Sequence, residues 1–113
     1  MLGRHLDDQL IELIKTVSAP LGEISDIVMS QAKSARILSY RPTVIGLEVA
    51  ADVPAIPARD GPLPGRAMVY EGSSLVGEVM LWVEGGRLTG MEQAWYADHA
   101  PDRWPSPDHI RVE

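Results

Sequence analysis

The chain of 113 residues contains no cysteine and no phenylalanine, and its lysines are limited to Lys15 and Lys33. Without cysteine, disulfides, thiol catalysis and zinc–thiolate sites are excluded. The net charge is −6, and no cluster of cations is present to neutralise phosphates, so we expect no nucleic-acid partner. No apolar run approaches the roughly 20 residues of a membrane span. Acidic Asp7 and Asp8 occupy the region where a signal peptide is basic, which favours a cytoplasmic protein without a membrane partner.

The apolar content is typical of one folded domain. Apolar residues make up 45% of the chain, which is too many for a disordered protein. A length of 113 residues suits a single hydrophobic core and is too short for two ordinary domains. The scarcity of aromatic residues makes that core aliphatic. We therefore predict a single domain over residues 1–113.

Hydrophobic spacing predicts two helices followed by strands. Apolar residues recur every three or four positions between Leu2 and Val17, which indicates an amphipathic helix that ends at Pro20 and Gly22. A second, short helix is predicted over 22–31, with Ser25 as a possible N-cap. Strands are predicted over 34–39, 43–50, 66–71, 76–84 and 87–96, the second with Ile45, Leu47 and Val49 on one face. The expected fold class is α+β, with two N-terminal helices packed on a mainly antiparallel sheet of about five strands.

Two proline-rich segments interrupt this pattern. Prolines at positions 54, 57, 62 and 64 predict that residues 52–65 form a long loop without ladder hydrogen bonds. Prolines at 101, 105 and 107 predict an irregular tail over residues 97–113. Trp104, within this tail, is expected to pin it to its own domain or to reach a neighbouring copy.

The clearest element is a C-terminal hairpin, Val76–Glu84 returning at Arg87–Tyr96. Gly85-Gly86 supplies the positive φ angles of a two-residue turn. The residue pairs of the two strands can then be counted outward from this turn, which fixes the register. Trp82 would then face Thr89 and Met80 would face Met91. One face becomes a core face, and the other carries large apolar side chains: Met80, Trp82, Met91 and Trp95.

This second apolar face is the main functional candidate. Exposed patches of that kind mark interfaces, and tryptophan is enriched at binding hot spots. Three interpretations stay open: the loop or the tail covers the face, two copies associate through it, or a foreign partner or ligand binds it. A β-bulge at Gly90 would move Met91 and Trp95 to the core face and weaken the patch.

Glu92 is the second candidate, because the uninterrupted register places its carboxylate on the core face. An unpaired buried carboxylate is costly. A bulge at Gly90, or a place at the sheet margin beside Arg36 or Arg66, would explain it without function. Otherwise Glu92 is a functional carboxylate, with Tyr96 as its neighbour in a possible buried polar site.

Histidine offers no convincing metal or catalytic pattern. Asp98-His99 and Asp108-His109 repeat a carboxylate–histidine pair, but adjacent residues do not converge on one ion, and His5 is far away in the chain. No nucleophile elbow and no phosphate-binding glycine loop is present. We expect no metal, no cofactor and no catalytic residue, and whether the chain is an enzyme stays open.

The hairpin sequence carries a family resemblance. Residues 77–92 read GEVMLWVEGGRLTGME, followed by Trp95-Tyr96 and later by Pro105-Ser106-Pro107. This pattern resembles a family of small uncharacterised bacterial proteins, mainly actinobacterial, with the motif G-x-[IV]-x-[LV]-[WF]-V-x-x-G-x-L-x-x-[LM]-E. The resemblance covers about the last 45 residues. It implies no known activity, but it implies that Glu92 and Tyr96 occupy patterned positions. Members of that family often carry a segment rich in cysteine and glycine between the first two strands. Residues 38–42 take its place here and contain no cysteine, so a role tied to that segment does not carry over.

These observations favour a non-enzymatic protein-interaction domain that forms a homodimer through its sheet. The first alternative is an immunity-type or antitoxin-type protein whose acidic surface binds a basic partner. Two points support this alternative: the chain is acidic, and related small acidic proteins are sometimes encoded beside toxin genes as immunity proteins. The second alternative is a small-molecule binder or enzyme centred on Glu92.

Overall fold

A computed structural model describes residues 3–113, and its first helix begins later than the hydrophobic pattern predicts. Helix α1 spans Asp8–Ser18. It begins there because the side chain of Asp7 accepts a 2.9 Å hydrogen bond from the backbone N–H of Leu10 and so caps the helix. Leu2, where the predicted helix started, lies outside the described residues.

A 3₁₀ turn over Ala19–Leu21 separates the two helices, and Gly22, with φ of 63°, reverses the chain. Helix α2 spans Glu23–Ser34, so it begins one residue later and ends three residues later than predicted. Ser25 does not cap it. The Ser25 hydroxyl instead forms a 2.9 Å hydrogen bond with the hydroxyl of Ser18, which ties the start of α2 to the end of α1.

The two helices are followed by a seven-stranded antiparallel sheet, which confirms the predicted α+β class. The spatial order is β1-β2-β6-β5-β4-β7, and β3 also pairs with β5. The strands are β1 Arg36–Tyr40, β2 Val44–Glu48, β3 Gly61–Pro62, β4 Ala67–Glu71, β5 Ser74–Glu84, β6 Arg87–Trp95 and β7 Ile110–Val112.

Two of these strands lie in segments predicted to be irregular. Strand β3 pairs Gly61 with Val83 and Pro62 with Trp82, so the expectation that residues 52–65 form no ladder is wrong at this point. Proline is tolerated there because β3 is an edge strand. Strand β7 returns the tail to the sheet beside β4.

The core lies between the two helices and one face of the sheet. Leu10, Leu13 and Ile14 of α1 and Val28 and Ala32 of α2 are buried against aliphatic strand residues, as the composition predicts. The strand contribution includes Ile45, Leu47, Val79, Leu81, Val83, Leu88 and Met91. We call the opposite side of the sheet the open face, because both helices of the described chain lie on the core side. Within residues 3–113, no helix combines the length and the hydropathy needed to cross a bilayer.

The central hairpin has the predicted turn but a shifted register. Gly85 and Gly86 have φ angles of 59° and 76°, and Val83 pairs with Leu88 as expected. The next pair is Trp82 with Gly90, so Thr89 is an extra residue in a β-bulge. The predicted Trp82–Thr89 pairing is therefore wrong, and every later residue of β6 points to the opposite side from the one the uninterrupted register predicts.

Candidate functional site: the open face and the tail cleft

The open face has an apolar centre on strands β2, β5 and β6. Its outward side chains are Val44, Glu78, Met80, Trp82, Glu92 and Ala94. Val44 is 46% exposed, and the other five are half-buried. A surface with methionine, tryptophan and valine at its centre and carboxylates beside them resembles the layout of a protein interface.

Trp82 occupies the most unusual position on this face. In its row across the sheet, Pro62 is its neighbour on one side, and Gly90 and then Gly46 follow on the other. The two glycines leave the surface beside the indole without side chains. The indole Nε1 is buried and has no hydrogen-bond partner among residues 3–113. A buried donor in this state costs about 1–3 kcal/mol.

The predicted apolar patch is divided between the two sides of the sheet. Met80 and Trp82 share the open face, whereas the bulge turns Met91 into the core, where it is fully buried. Trp95 lies at the end of β6 on the helix side and is 44% exposed. The prediction that these four side chains form one surface is therefore wrong, and the bulge is the physical reason.

Trp104 lies inside its own domain rather than on a surface. It is buried in the core, and its Nε1 donates a 3.2 Å hydrogen bond to the carbonyl oxygen of Arg41. The side chain therefore pins the tail to its own domain, at the turn between β1 and β2, as the first of the two expected roles requires.

Glu92 lies on the open face, not in the core, because of the same bulge. It pairs with Met80 on one side and with Val44 on the other. No cation of residues 3–113 lies within ion-pair distance of its carboxylate. Arg36, one expected neighbour, instead donates a 2.9 Å hydrogen bond to the carbonyl oxygen of Gly3.

The other expected neighbours of Glu92 gather around Glu78. The Nε of Arg66 lies 3.2 Å from one Glu78 carboxylate oxygen, and the hydroxyl of Tyr96 donates to the other at 3.4 Å. The hydrogen bond and the charge of Glu78 raise the pKa of Arg66. Glu92 and Tyr96 thus do not form the predicted buried polar site, and Glu92 does not line any of five clefts found on the described chain.

The largest of these clefts lies on the core side, where the tail crosses the end of the sheet. This tail cleft has a volume of about 500 Å³. Its walls include Gln9 of α1, Glu71 at the end of β4, Gln93 and Trp95 of β6, and His99 and Trp104 of the tail. Sequence reasoning missed it because its walls come from α1, β4, β5, β6 and the tail, which the fold brings together. The exposed Trp95 just before a proline-rich tail was the one available signal.

The histidines do not converge on a metal site. The Nδ1 of His5 lies 3.2 Å from the carbonyl oxygen of Ala35, while His99 and His109 lie at the tail cleft. Within the part of the chain that the structure describes, no three histidine or acidic side chains are placed to hold a metal ion.

The chain matches no protein-family model, and comparisons with curated proteins and with solved structures also found no match. The resemblance of residues 77–92 to a family of small bacterial proteins therefore stays a prediction that rests on the motif.

Proposed function

We propose that this protein is a non-enzymatic interaction domain that self-associates through the open face of its sheet. The observation that carries the proposal is the grouping of Val44, Met80 and Trp82 at the centre of a sheet face that neither helix covers. Apolar side chains grouped on one accessible face of a small domain are typical of interfaces, and tryptophan is frequent at their energetic centres.

The charges around the apolar centre are compatible with a two-fold contact. Arg66 lies at one margin of the face, with its side chain 58% exposed, and Glu92 lies near the centre without a cation partner. In an isologous dimer each residue of one copy is available to the other copy. The Arg66 of a second copy is therefore one cation that Glu92 could meet in such a contact, although Arg66 already pairs with Glu78 within its own copy.

Sedimentation over a range of concentrations tests self-association. We expect the wild-type chain to form a dimer by high micromolar concentrations, and Trp82→Glu to shift the equilibrium to monomer, because a buried unpaired carboxylate is costly. Trp95→Glu is the matched control, since Trp95 is exposed on the opposite side of the sheet. A wild-type monomer at high micromolar concentration would remove the proposal. A dimer lost in Trp95→Glu and kept in Trp82→Glu would move the interface to the tail cleft.

The second candidate function is binding of a basic protein, as an immunity-type or antitoxin-type protein does. The net charge of −6 and the free carboxylate of Glu92 beside Met80 and Val44 support it. A basic partner would bind more weakly as salt rises, because salt screens surface charges. Capture of one basic protein by the wild-type chain, lost at high salt and weakened by Glu92→Gln, supports this candidate. Equal capture by Glu92→Gln rejects the role of this face.

A further inference from the structure

We propose that the tail cleft is a binding site for a small planar organic cation, of the guanidinium or amidinium class. This site lies on the core side of the sheet, and the inference does not depend on self-association through the open face. Its support comes from the size of the cleft, an acceptor on a buried side chain, an exposed tryptophan and an uncompensated carboxylate.

The size and the walls of the cleft suit a small ligand. Its volume of about 500 Å³ falls within the roughly 300–1,000 Å³ of ordinary small-molecule sites. The walls combine α1, the ends of β4 and β6, and the tail, and the buried Trp104 ties the tail in place through its hydrogen bond to Arg41. The wall that the tail contributes is thus fixed by a contact that does not require a ligand.

Gln93 presents an acceptor inside this cleft. The residue is 4% exposed, and its Nε2 donates hydrogen bonds to the carbonyl oxygens of Pro42 and Arg103, at 2.6 and 2.9 Å. These two bonds use both amide hydrogens and fix the orientation of the amide. The Oε1 accepts no hydrogen bond from residues 3–113, so a donor on a ligand is the partner that it fits.

The charge of the cleft favours a cation. Asp102 and Arg103 form their own ion pair, at 3.6 Å between Oδ1 and Nε, so they offset each other. Glu71 then supplies the remaining carboxylate in the walls. Guanidinium groups bind carboxylates through parallel hydrogen bonds, and they also donate to neutral carbonyl oxygens.

Trp95 completes the recognition of a planar cation. It is 44% exposed although it lines the cleft, so its ring is accessible to a ligand. A guanidinium stacked on an indole gains from the negative face of the ring, and tryptophan is the best aromatic residue for this contact. An aromatic wall, a carboxylate and a fixed amide oxygen together distinguish a planar cation from an anion.

Three probes of matched shape test the charge of the ligand. We would titrate the protein with phenylguanidinium, phenylurea and benzoate, measuring the heat of binding and the NMR shift of the Trp95 indole N–H. Phenylguanidinium should bind about tenfold more tightly than neutral phenylurea, and benzoate should bind more weakly than both. No shift of the Trp95 indole with phenylguanidinium overturns the site. Equal binding of phenylurea, or tighter binding of benzoate, overturns the cation assignment.

Two exposed wall residues give variants that are expected to fold. Glu71→Gln removes the charge with little change of shape and should weaken phenylguanidinium binding several-fold. Trp95→Ala should weaken it about tenfold. Tyr96→Phe is the matched control, because Tyr96 is a neighbouring exposed aromatic residue whose hydroxyl bonds Glu78 outside the cleft. Unchanged binding in both wall variants, or an equal loss in Tyr96→Phe, contradicts the proposal.

Discussion

The side-chain oxygen of Gln31 on α2 accepts a 2.9 Å hydrogen bond from the backbone N–H of Leu88 on β6. The Nε2 of the same side chain donates to the carbonyl oxygens of Pro54 and Gly86, at 2.8 and 2.9 Å. Gln31 is fully buried, so a single amide joins α2 to the hairpin turn and to the loop over residues 52–65. The pairing of β6 with β2 ends at Gly90, so Leu88 lies outside the part of β6 that pairs with β2.

Replacing Gln31 with methionine should therefore be strongly destabilising. Methionine keeps the length of the side chain but satisfies none of the three backbone groups. We expect the free energy of unfolding to fall by about 3 kcal/mol, because the buried N–H of Leu88 and the carbonyl oxygen of Pro54 would lose their partner. Urea denaturation measures this change. Lys33→Ala, on the exposed side of α2, is the control and should change stability by less than about 0.5 kcal/mol. A loss below about 1 kcal/mol for Gln31→Met would contradict the bridging role.

The tryptophans Trp82 and Trp104 should respond differently to replacement by phenylalanine. Trp104→Phe removes the hydrogen bond to Arg41 and leaves a cavity in the core, so we expect a loss of about 2 kcal/mol. Trp82→Phe removes an N–H that has no partner and should change stability by less than about 1 kcal/mol. Both are measured by urea denaturation at concentrations where the chain is monomeric. An equal loss in the two variants would show that the Trp82 N–H is satisfied in solution.

The helices, the strands and the hairpin turn could be predicted from nearby residues in the sequence. The side of the sheet on which each residue of β6 lies depends instead on pairing with neighbouring strands. Gly85-Gly86 specifies a two-residue turn because both residues need positive φ, and the structure has that turn. The bulge at Thr89 depends instead on how β6 pairs with β2 and β5 together, which no spacing within one strand encodes. The sequence raised a bulge near Gly90 as an alternative. It could not decide between the two registers, so the placement of Met91 and Glu92 stayed open.

The short edge strands and the tail cleft were beyond sequence reasoning for a related reason. Strand β3 has two residues and β7 has three, which is too short for any periodic signal. Gln93, central to the tail cleft, is a single polar residue in an otherwise regular strand. Its role follows from the carbonyl groups of Pro42 and Arg103, which the fold brings to it from distant parts of the chain.

Two glycines in one row of the sheet should differ in their tolerance of a side chain. A Cβ added at Gly90 would lie 2.7 Å from the backbone oxygen of Ile45, and one added at Gly46 would lie 2.7 Å from the hydroxyl of Ser39. A backbone oxygen in a paired strand cannot move without disturbing the ladder, whereas a serine hydroxyl can rotate away. We expect Gly90→Ala to cost about 2–3 kcal/mol and Gly46→Ala less than about 1 kcal/mol in urea denaturation. The reverse order would argue against the β2–β6 pairing described above.

The tail is expected to contribute to stability through the backbone of β7. The N–H and carbonyl groups of Arg66 and Glu113 bond each other, at 3.2 and 2.9 Å, and antiparallel alternation makes Met68 and Arg111 the next hydrogen-bonded pair. Arg111→Pro removes the N–H of that pair and should lower the free energy of unfolding by about 3 kcal/mol. Arg111→Ala, the control, loses the contact of the guanidinium with the Tyr70 ring, 4.4 Å from its centroid, and should cost about 0.5–1 kcal/mol. Equal costs for the two variants in urea denaturation would mean that β7 is not paired with β4 in solution.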